Sequence, residues 1–448
     1  MKIGIIDADL IGKTKHRFPN LACMKISSYY KKLGNNVELL LSYDDIDSYN
    51  KVFISKVFMD TVIPFEPTDK SMKNEEQIAD FYKDNILLNM PNVSYGGTGF
   101  FYDKAKPLPY EIEHSMPDYH LYDDWINEKL NEGINRDDYE DEDKYEEEKE
   151  SIIKKRRKEF SYYLDYSIGF VTRGCIRGCT FCVNKNYKKC LKHSPVLEFL
   201  DKSKPYICLL DDNVLSCKEW KQVFNELIST GKKFQFKQGC DERLLTDEKC
   251  DYLFNKSKWI GDRIFAFDNI KDRKLIENKL QMIRRHTNNQ VKFYTFCGYN
   301  HKNKGVYDEE FWVKDIADLF ERIKILMEYG CLPYVMRYKD YQLSPYKGIY
   351  ITIASWCNQP SFFRKMTFEE FSKARGMSNE DYKKYKLNFD LYLANGGKKG
   401  SCWRYYEDFQ TKYPDIANKY FKIRWNYSNK KRGNLWIIQM KIKALQIA

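Results

Sequence analysis

The chain has 448 residues, of which 43% are hydrophobic and 31% are charged, and its formal net charge is +11. This length predicts two or three domains, and this composition excludes a chain that is disordered throughout. Residues 1–10 carry acids where a secretory signal would be apolar, and no apolar run is long enough to span a membrane. We therefore expect a cytoplasmic protein without membrane association, whose 13 cysteines are reduced thiols.

The first predicted domain covers residues 1–125 and is Rossmann-like. Leu21–Leu33 has apolar residues at helical spacing and is followed by Gly34, a typical helix end. Short apolar runs typical of strands are Lys2–Asp7, Val37–Leu41 and Val52–Ile54. Strands that alternate with a helix predict a parallel sheet.

A connector of residues 126–160 follows this domain. It is almost wholly charged, acidic first and basic at its end. Such a segment has too few apolar residues to pack into a core, so we expect a solvent-exposed helix or a mobile linker.

The central region, residues 161–360, is predicted to form a partial β/α barrel of about six units. Its short apolar runs mostly end in a polar or glycine-containing turn. The predicted strands are Ser167–Val171, Tyr206–Leu210, Lys233–Gln238, Arg263–Phe267, Lys292–Phe296, Tyr334–Arg337 and Ile349–Ile353. Because these are too many for a small doubly wound sheet, a barrel fits better, and its chemistry belongs at the C-terminal ends of the strands.

Residues 361–448 are predicted to form a small, basic, mostly helical module. They carry 19 Lys and Arg against 8 Asp and Glu, whereas the residues before them carry 56 of each sign. Aromatic residues lie among these cations in Trp403–Tyr406 and Tyr420–Trp425, and Lys430–Arg432 adds three more charges. Cations neutralise phosphates and rings stack on unpaired bases, so RNA or DNA is a predicted partner. The alternative is a helical cap whose lysines face solvent.

The most specific motif is Cys175-x3-Cys179-x2-Cys182, directly after the first predicted strand of the barrel. Gly174 and Gly178 let such a loop curl tightly. Three thiolates can hold three irons of a cubane cluster, whereas a cluster that only carries electrons usually has four cysteines. A zinc site is the alternative, but zinc favours two pairs of ligands, and beyond His193 no second pair follows.

On this motif, with the aromatic Phe181 before the last cysteine, the chain resembles the radical S-adenosylmethionine (SAM) superfamily. The resemblance covers residues 161–355 and implies a six-unit partial barrel, in agreement with the predicted strands. It implies a 4Fe–4S cluster on Cys175, Cys179 and Cys182, with SAM on the open iron. It also implies an electron donor such as flavodoxin or ferredoxin, whose electron cleaves SAM to methionine and a 5′-deoxyadenosyl radical.

Polar groups at the predicted strand ends are further candidates for contacts with SAM or substrate. Together with Phe181, the predicted cofactor-binding residues are Asp211, Asp212, Asn213, Arg243, Asp268 and Gly298. A guanidinium such as that of Arg243 can hold the SAM carboxylate through two bonds. The alternative for each is ordinary turn chemistry or a surface ion pair.

The first domain also resembles the cobalamin-binding domain that often precedes a radical SAM barrel. The resemblance rests on Asp7-x-Asp9-x-x-Gly12, on Ser55 and on Gly96-Gly97. In the family pattern a histidine occupies the position of Asp9, and a carboxylate is a poor substitute for an imidazole on cobalt. The possible cobalamin site is Asp9, Gly12, Ser55, Gly96 and Gly97; the alternative is a domain that binds no corrinoid.

Three functional hypotheses follow. The first is a radical SAM enzyme that modifies, or methylates through cobalamin, an unactivated carbon of a nucleic acid. The second is a radical SAM enzyme without cobalamin that acts on a peptide or small metabolite. The third is a non-catalytic Fe–S or zinc protein that binds nucleic acid.

Overall fold

The computed structural model describes residues 1–13, 16–138, 141–184, 187–303 and 305–427. The chain forms two compact units. Unit 1 comprises Met1–Lys237 and Ser257–Ile260, and unit 2 comprises Gln238–Lys256 and the chain from Gly261 onward. In the described part of the chain, no helix is long and apolar enough to cross a membrane.

Unit 1 contains two parallel sheets and one short antiparallel pair. Its strands are β1 (Lys2–Asp7), β2 (Asn36–Leu39), β3 (Lys51–Ser55), β4 (Val93–Gly96), β5 (Tyr166–Gly169), β6 (Thr172–Arg173), β7 (Leu191–Lys192), β8 (Tyr206–Leu209) and β9 (Lys233–Phe236). The parallel sheets have the orders β2-β1-β3-β4 and β5-β8-β9, and β6 pairs with β7.

The helices of unit 1 surround these sheets. They are α1 (Ala8–Gly12), α2 (Leu21–Lys32), α3 (Ile78–Phe81), α4 (Thr98–Phe101), α5 (Tyr110–Glu113), α6 (Asp123–Asn131), α7 (Glu142–Arg157), α8 (Ser161–Leu164) and α9 (Trp220–Ser229). The connector contains α7, a helix in which no residue is buried. The start of the predicted connector differs, because Ile126 and Leu130 of α6 are buried in a hydrophobic core of unit 1.

Unit 2 contains one parallel sheet and a large set of helices. Its strands, in the order β10-β11-β12, are β10 (Arg263–Ala266), β11 (Val291–Cys297) and β12 (Leu332–Arg337). Its helices are α10 (Asp247–Asp251), α11 (Arg273–His286), α12 (Glu309–Glu328), α13 (Lys347–Cys357), α14 (Pro360–Phe363), α15 (Phe368–Ala374), α16 (Asn379–Tyr385), α17 (Phe389–Ala394), α18 (Ser401–Lys412) and α19 (Pro414–Tyr420).

The predicted strands agree with the structure in all but one case. β1 is buried along nearly its whole length, as expected for a central parallel strand, and has the predicted bounds. The segment Ile349–Ile353, predicted as a strand, lies instead inside α13. An apolar run buried on most sides cannot be assigned to helix or strand by periodicity alone, and here it continues for more residues than a typical strand. β4 is a strand that the sequence did not predict.

The described C-terminal residues share one hydrophobic core with the rest of unit 2. Trp403 of α18 and Phe421, just after α19, are buried in the same cluster as Phe320 of α12 and Trp356 of α13. The helices after residue 360 therefore complete the packing of α12 and α13. Lys430–Arg432 lie outside the described residues.

A tyrosine joins the N-terminal region to the second sheet of unit 1. The Tyr119 hydroxyl accepts a hydrogen bond from the Ile168 N–H (2.8 Å) and donates one to the Phe199 carbonyl (2.6 Å). Residues on the two sides of the connector are thus bonded directly within unit 1.

Candidate functional site

The three cysteines of the motif lie in an irregular loop that follows β5 and β6. Cys175, Cys179 and Cys182 are half-buried. Gly174 begins the loop with a φ of +98°, a conformation that L side chains rarely adopt. The parallel pairing of β5 with β8 places the loop at the C-terminal edge of this sheet, where a β/α enzyme carries its chemistry.

Two of the sulfur atoms accept hydrogen bonds from nitrogen donors. The Sγ of Cys175 accepts from the backbone N–H of Arg177 (3.4 Å) and from the side-chain Nδ2 of Asn213 (3.3 Å). The Sγ of Cys182 accepts from the backbone N–H of Asn184 (3.4 Å). Hydrogen bonds to the cysteine sulfurs are common around Fe–S clusters, where they help to set the reduction potential.

The residues Asp211–Asn213, which we call the strand-end clasp, follow β8 and hold the start of the cysteine loop. The Asp211 carboxylate accepts hydrogen bonds from the backbone N–H and the hydroxyl (2.6 Å) of Thr172. The Asp212 carboxylate accepts one from the Gly174 N–H (2.9 Å). Burial raises the pKa of Asp211 to about 7, and the bonds from Thr172 partly oppose that rise. The predicted polar cluster therefore lies at the cysteines, and the contacts it makes here are with their loop.

Buried polar atoms without a partner flank the same loop. Among the described residues these include Oδ1 of Asn213, Nδ2 of Asn184 and Nε of Arg173. A buried polar atom that lacks a hydrogen bond costs free energy, and native proteins retain few of them. The half-buried thiols, the nitrogen donors at sulfur and these atoms together fit a loop that encloses a bound polar group.

A buried set of charges, the Glu113 network, supports the loop from another side. The Oε1 of Glu113 lies 3.1 Å from Nζ of Lys25, 3.1 Å from a guanidinium nitrogen of Arg173 and 3.5 Å from Nε2 of His193. The Arg173 guanidinium also lies over the Phe170 ring, 3.4 Å from its centroid. The residue two positions before Cys175 is thereby fixed.

His193 lies between Glu113 and Ser194 in this network. Its Nδ1 lies 2.9 Å from the Ser194 hydroxyl, and its ring stacks on that of His114 with centroids 4.9 Å apart. Burial, and then Arg173, lowers the pKa of His193 to about 4, so the ring is neutral near pH 7. The residue that the sequence offered as a fourth zinc ligand thus lies in the Glu113 network.

In the described ranges, no three or more His, Cys, Asp or Glu side chains converge as around a single metal ion. A cubane places each of three thiolates on its own iron, and the loop supplies three cysteine side chains.

Tyr102, which follows α4, also touches the cysteine loop. Its hydroxyl donates a hydrogen bond of 3.0 Å to the carbonyl of Phe181. Tyr102 has a φ of +48°, unusual for a residue with a side chain. The backbone between Cys179 and Cys182 is thus held by a residue of the N-terminal region.

Three predicted cofactor-binding residues lie in unit 2. Arg243 is already ion-paired, with Asp241 at 2.7 Å and Asp272 at 3.1 Å. The sequence left open that Arg243 forms an ion pair, and it does so here. Contact of Arg243 with the SAM carboxylate stays a prediction.

Asp268 lines a cavity of about 320 Å³ in unit 2, and Gly298 lies in the chain between two lining residues, Cys297 and Tyr299. The Oδ1 of Asp268 accepts from the Phe296 N–H (3.1 Å), and the Gly298 N–H donates to Oδ2 of Asp315 (2.8 Å). Buried Arg322 donates to the carbonyl of Phe296 beneath this cavity. Both predicted residues thus lie after strands of a parallel sheet, as expected.

The candidate cobalamin residues are engaged in packing within unit 1. The buried Asp9 carboxylate accepts hydrogen bonds from the N–H of Val57 (2.6 Å) and from the Thr61 hydroxyl. The Ser55 hydroxyl accepts one from Asn20 (3.0 Å). Both carboxylate oxygens of Asp9 accept hydrogen bonds from residues that follow β3. Asp9 therefore does not fit the role of a cobalt ligand.

The glycines of the same pattern mostly permit close approach of the chain to itself. A Cβ on Gly97, whose φ is +109°, would lie 2.2 Å from the carbonyl oxygen of Lys56. One on Gly12 would lie 2.6 Å from Thr61, whereas Gly96 has open space beside it. The backbone of the fully buried Lys56 thus lies directly against Gly97.

Several aromatic residues of the basic module are unavailable for stacking on bases. Trp403, Tyr406, Tyr420 and Phe421 are all buried in the core of unit 2. Tyr405 remains exposed. Binding of a nucleic acid by this module stays a prediction.

No protein-family model and no curated protein matches the chain. Two solved structures resemble it weakly. One is the cobalamin-dependent S-adenosylmethionine radical enzyme OxsB with aqua-cobalamin and S-adenosylmethionine bound: 15% identity over 79% of this chain and 55% of that chain, TM-score 0.37. The other is OxsB with aqua-cobalamin bound. It is 13% identical, the match covers 94% of this chain and 56% of that chain, and the TM-score is 0.28. The chain spans about half the length of these OxsB structures, and a likeness this weak decides neither fold nor function.

The sequence did not reveal Glu113, His114 or Tyr102 as parts of the site. Glu113 and His114 lie in a proline-bounded segment typical of a linker, and Tyr102 follows a glycine-rich turn. Their positions depend on long-range packing against the cysteine loop. An acidic residue and a histidine side by side in an apparent linker were the available signal.

Proposed function

We propose that this chain is a radical SAM enzyme in which Cys175, Cys179 and Cys182 hold a 4Fe–4S cluster. The observation that carries the proposal is the loop of three half-buried cysteines, held by the strand-end clasp at the C-terminal edge of a parallel sheet. Three cysteines leave one iron of a cubane open to SAM. When bound, the cluster supplies the electron that cleaves the sulfonium of SAM.

The chain's own residues position the thiols. Asp211 and Asp212 hold the backbone before Cys175, and the Glu113 network holds the Arg173 side chain. These supports are hydrogen bonds and an ion pair within unit 1, and they hold the chain that leads into the loop. We propose that an electron donor such as flavodoxin or ferredoxin reduces the cluster.

The decisive experiment is anaerobic reconstitution with iron and sulfide. We expect a brown protein with about four irons that releases 5′-deoxyadenosine and methionine from SAM on reduction. Cys175→Ala should lose the cluster and the product, whereas Cys402→Ala, which removes a half-buried thiol in α18, should keep both. Tight zinc without iron, or a cluster that survives Cys175→Ala, would support the non-catalytic Fe–S or zinc protein instead.

For the substrate, we propose a peptide or small metabolite with an unactivated carbon. Burial of Trp403, Tyr406, Tyr420 and Phe421 removes most of the rings that would stack on bases. SAM cleavage should therefore be stimulated by a peptide or metabolite fraction and not by RNA or DNA. Salt-sensitive RNA binding, or stimulation by RNA, would favour a nucleic-acid substrate.

We further propose that the chemistry proceeds without cobalamin. The argument is the hydrogen bonding of Asp9 and the packing of Lys56 against Gly97. Incubation with hydroxocobalamin followed by gel filtration should leave the protein without the corrinoid absorption bands. Stoichiometric retention of cobalamin would overturn this part and would point to methyl transfer.

A further inference from the structure

We infer that Asn213 is a positioning residue that sets the reduction potential of the cluster, an inference that rests on the proposed function. Its Nδ2 donates a hydrogen bond of 3.3 Å to Sγ of Cys175. Its side chain is 3% exposed, so water does not compete for this bond. Asn213 acts through Cys175 and does not itself bind iron.

The bond from Asn213 differs in kind from the backbone bonds described above. The donors from Arg177 and Asn184 are backbone N–H groups, which almost any residue at those positions supplies. The donor from Asn213 is a side-chain amide, which a substitution removes. A substitution of Asn213 can therefore remove one hydrogen bond to Sγ of Cys175 while the backbone donors remain.

The geometry of this bond is fixed by its neighbours. Asp211 and Asp212 bind the backbone of Thr172 and Gly174, which precede Cys175 in the chain. The three residues that follow one another after β8 thus bind Thr172, Gly174 and Cys175, in that order. This arrangement places Nδ2 of Asn213 within hydrogen-bond distance of Sγ of Cys175.

The sign of the effect follows from electrostatics. Reduction adds a negative charge to the cluster and its thiolates, and an N–H donor at sulfur stabilises the more negative state. The bond from Asn213 therefore raises the reduction potential. Its removal makes the cluster harder to reduce.

The test compares four single variants of the full-length, reconstituted protein by potentiometric titration followed by electron paramagnetic resonance. Asn213→Leu keeps the approximate size of the side chain and removes the donor. Asn213→Asp keeps its shape, removes the N–H donor and adds a carboxylate. Asn92→Leu is the matched control, because it removes two side-chain bonds to the carbonyls of Ile46 and Tyr49, outside the cysteine loop.

We expect the midpoint potentials of both Asn213 variants to shift to more negative values. A tenfold change in the equilibrium constant for reduction corresponds to about 59 mV for a one-electron couple. Asn92→Leu should lower the melting temperature without moving the midpoint. Asn213→Gln, which restores an amide donor, should recover part of the shift.

The outcomes separate this inference from the proposed function. No cluster in the unsubstituted protein defeats the proposed function itself. A cluster whose midpoint stays unchanged in Asn213→Leu or Asn213→Asp defeats the role of Asn213 alone. If neither variant loads iron but both keep the melting temperature of the unsubstituted protein, and Asn213→Gln loads it, the positioning role stands.

Discussion

Gly174 lies where the backbone enters the cysteine loop. Its φ is +98°, and a Cβ at this position would lie 2.2 Å from the carbonyl oxygen of Lys189. Relief of that contact would require backbone movement, beyond the cost of about 1–2 kcal/mol for a side chain in a left-handed conformation. Gly178, in the same loop, has nothing within 4 Å of such an atom.

This contrast predicts different outcomes for two equal substitutions. Gly174→Ala should displace Cys175 and reduce iron loading severalfold or more, whereas Gly178→Ala should load iron as the unsubstituted protein does. Iron and sulfide content after reconstitution, with circular dichroism to check folding, provides the measurement. Equal loading by the two variants would show that the loop adjusts without help from Gly174.

Glu242 is a buried carboxyl group in unit 2 whose titration affects stability. Burial, and then Asp241, raises its pKa to about 8 from an ordinary value of 4.5. Below the ordinary value the folded and unfolded states both hold the proton. As pH rises toward 8 only the unfolded state releases it, so the free energy of unfolding falls across this window.

Glu242→Gln should remove that dependence. Between pH 5 and pH 9 the free energy of unfolding of the unsubstituted protein should fall by a few kcal/mol more than that of the variant. Urea unfolding at the two pH values measures the difference. If the two proteins lose stability equally as the pH rises, a group other than Glu242 causes the loss.

At the scale of elements, α13 shows how a helix can be mistaken for a strand. In a strand, Ile349, Ile351 and Ile353 would share one face. In the structure Ile349 and Ile353 are 2% and 0% exposed, whereas Ile351 is 41% exposed, as in a helix.

The same contrast gives a stability prediction. Ile353→Ala should lower the free energy of unfolding by about 2–5 kcal/mol, because it leaves a cavity in the core of unit 2. Ile351→Ala should change it by less than about 1 kcal/mol. Chemical denaturation of the two variants measures both values, and equal losses would favour a strand here.

The sequence predicted those features whose information is local. The three cysteines are close together in the chain, and the strands of the parallel sheets appear as short apolar runs. Tyr102 and Glu113 reach the loop from a distant part of the chain. No local pattern specifies such contacts, because they depend on how separate elements pack. The same holds for the ion pairs that occupy Arg243.

At the scale of the molecule, unit 1 extends across the charged connector. Glu113 is bonded to Arg173, and Tyr119 is bonded to the backbone of Ile168 and Phe199. The exposed helix α7 between them buries none of its residues. The contacts that stabilise unit 1 therefore do not depend on an unbroken α7.

A chain that begins after the connector should accordingly fail to load iron, since it lacks Glu113, Lys25 and Tyr102. A full-length protein cut once within α7 by a protease should instead keep its iron and elute as one species. Gel filtration with iron analysis distinguishes the two preparations. Separation of the cut protein into fragments would contradict this expectation.

Because α7 buries none of its residues, we expect the protein to tolerate insertions within this helix. A peptide tag or a fluorophore inserted in α7 would disturb no buried side chain of that helix. New termini could be opened there by circular permutation at little thermodynamic cost. The most highly charged segment of the sequence is thus the part of unit 1 that can best be redesigned without loss of the cysteine loop.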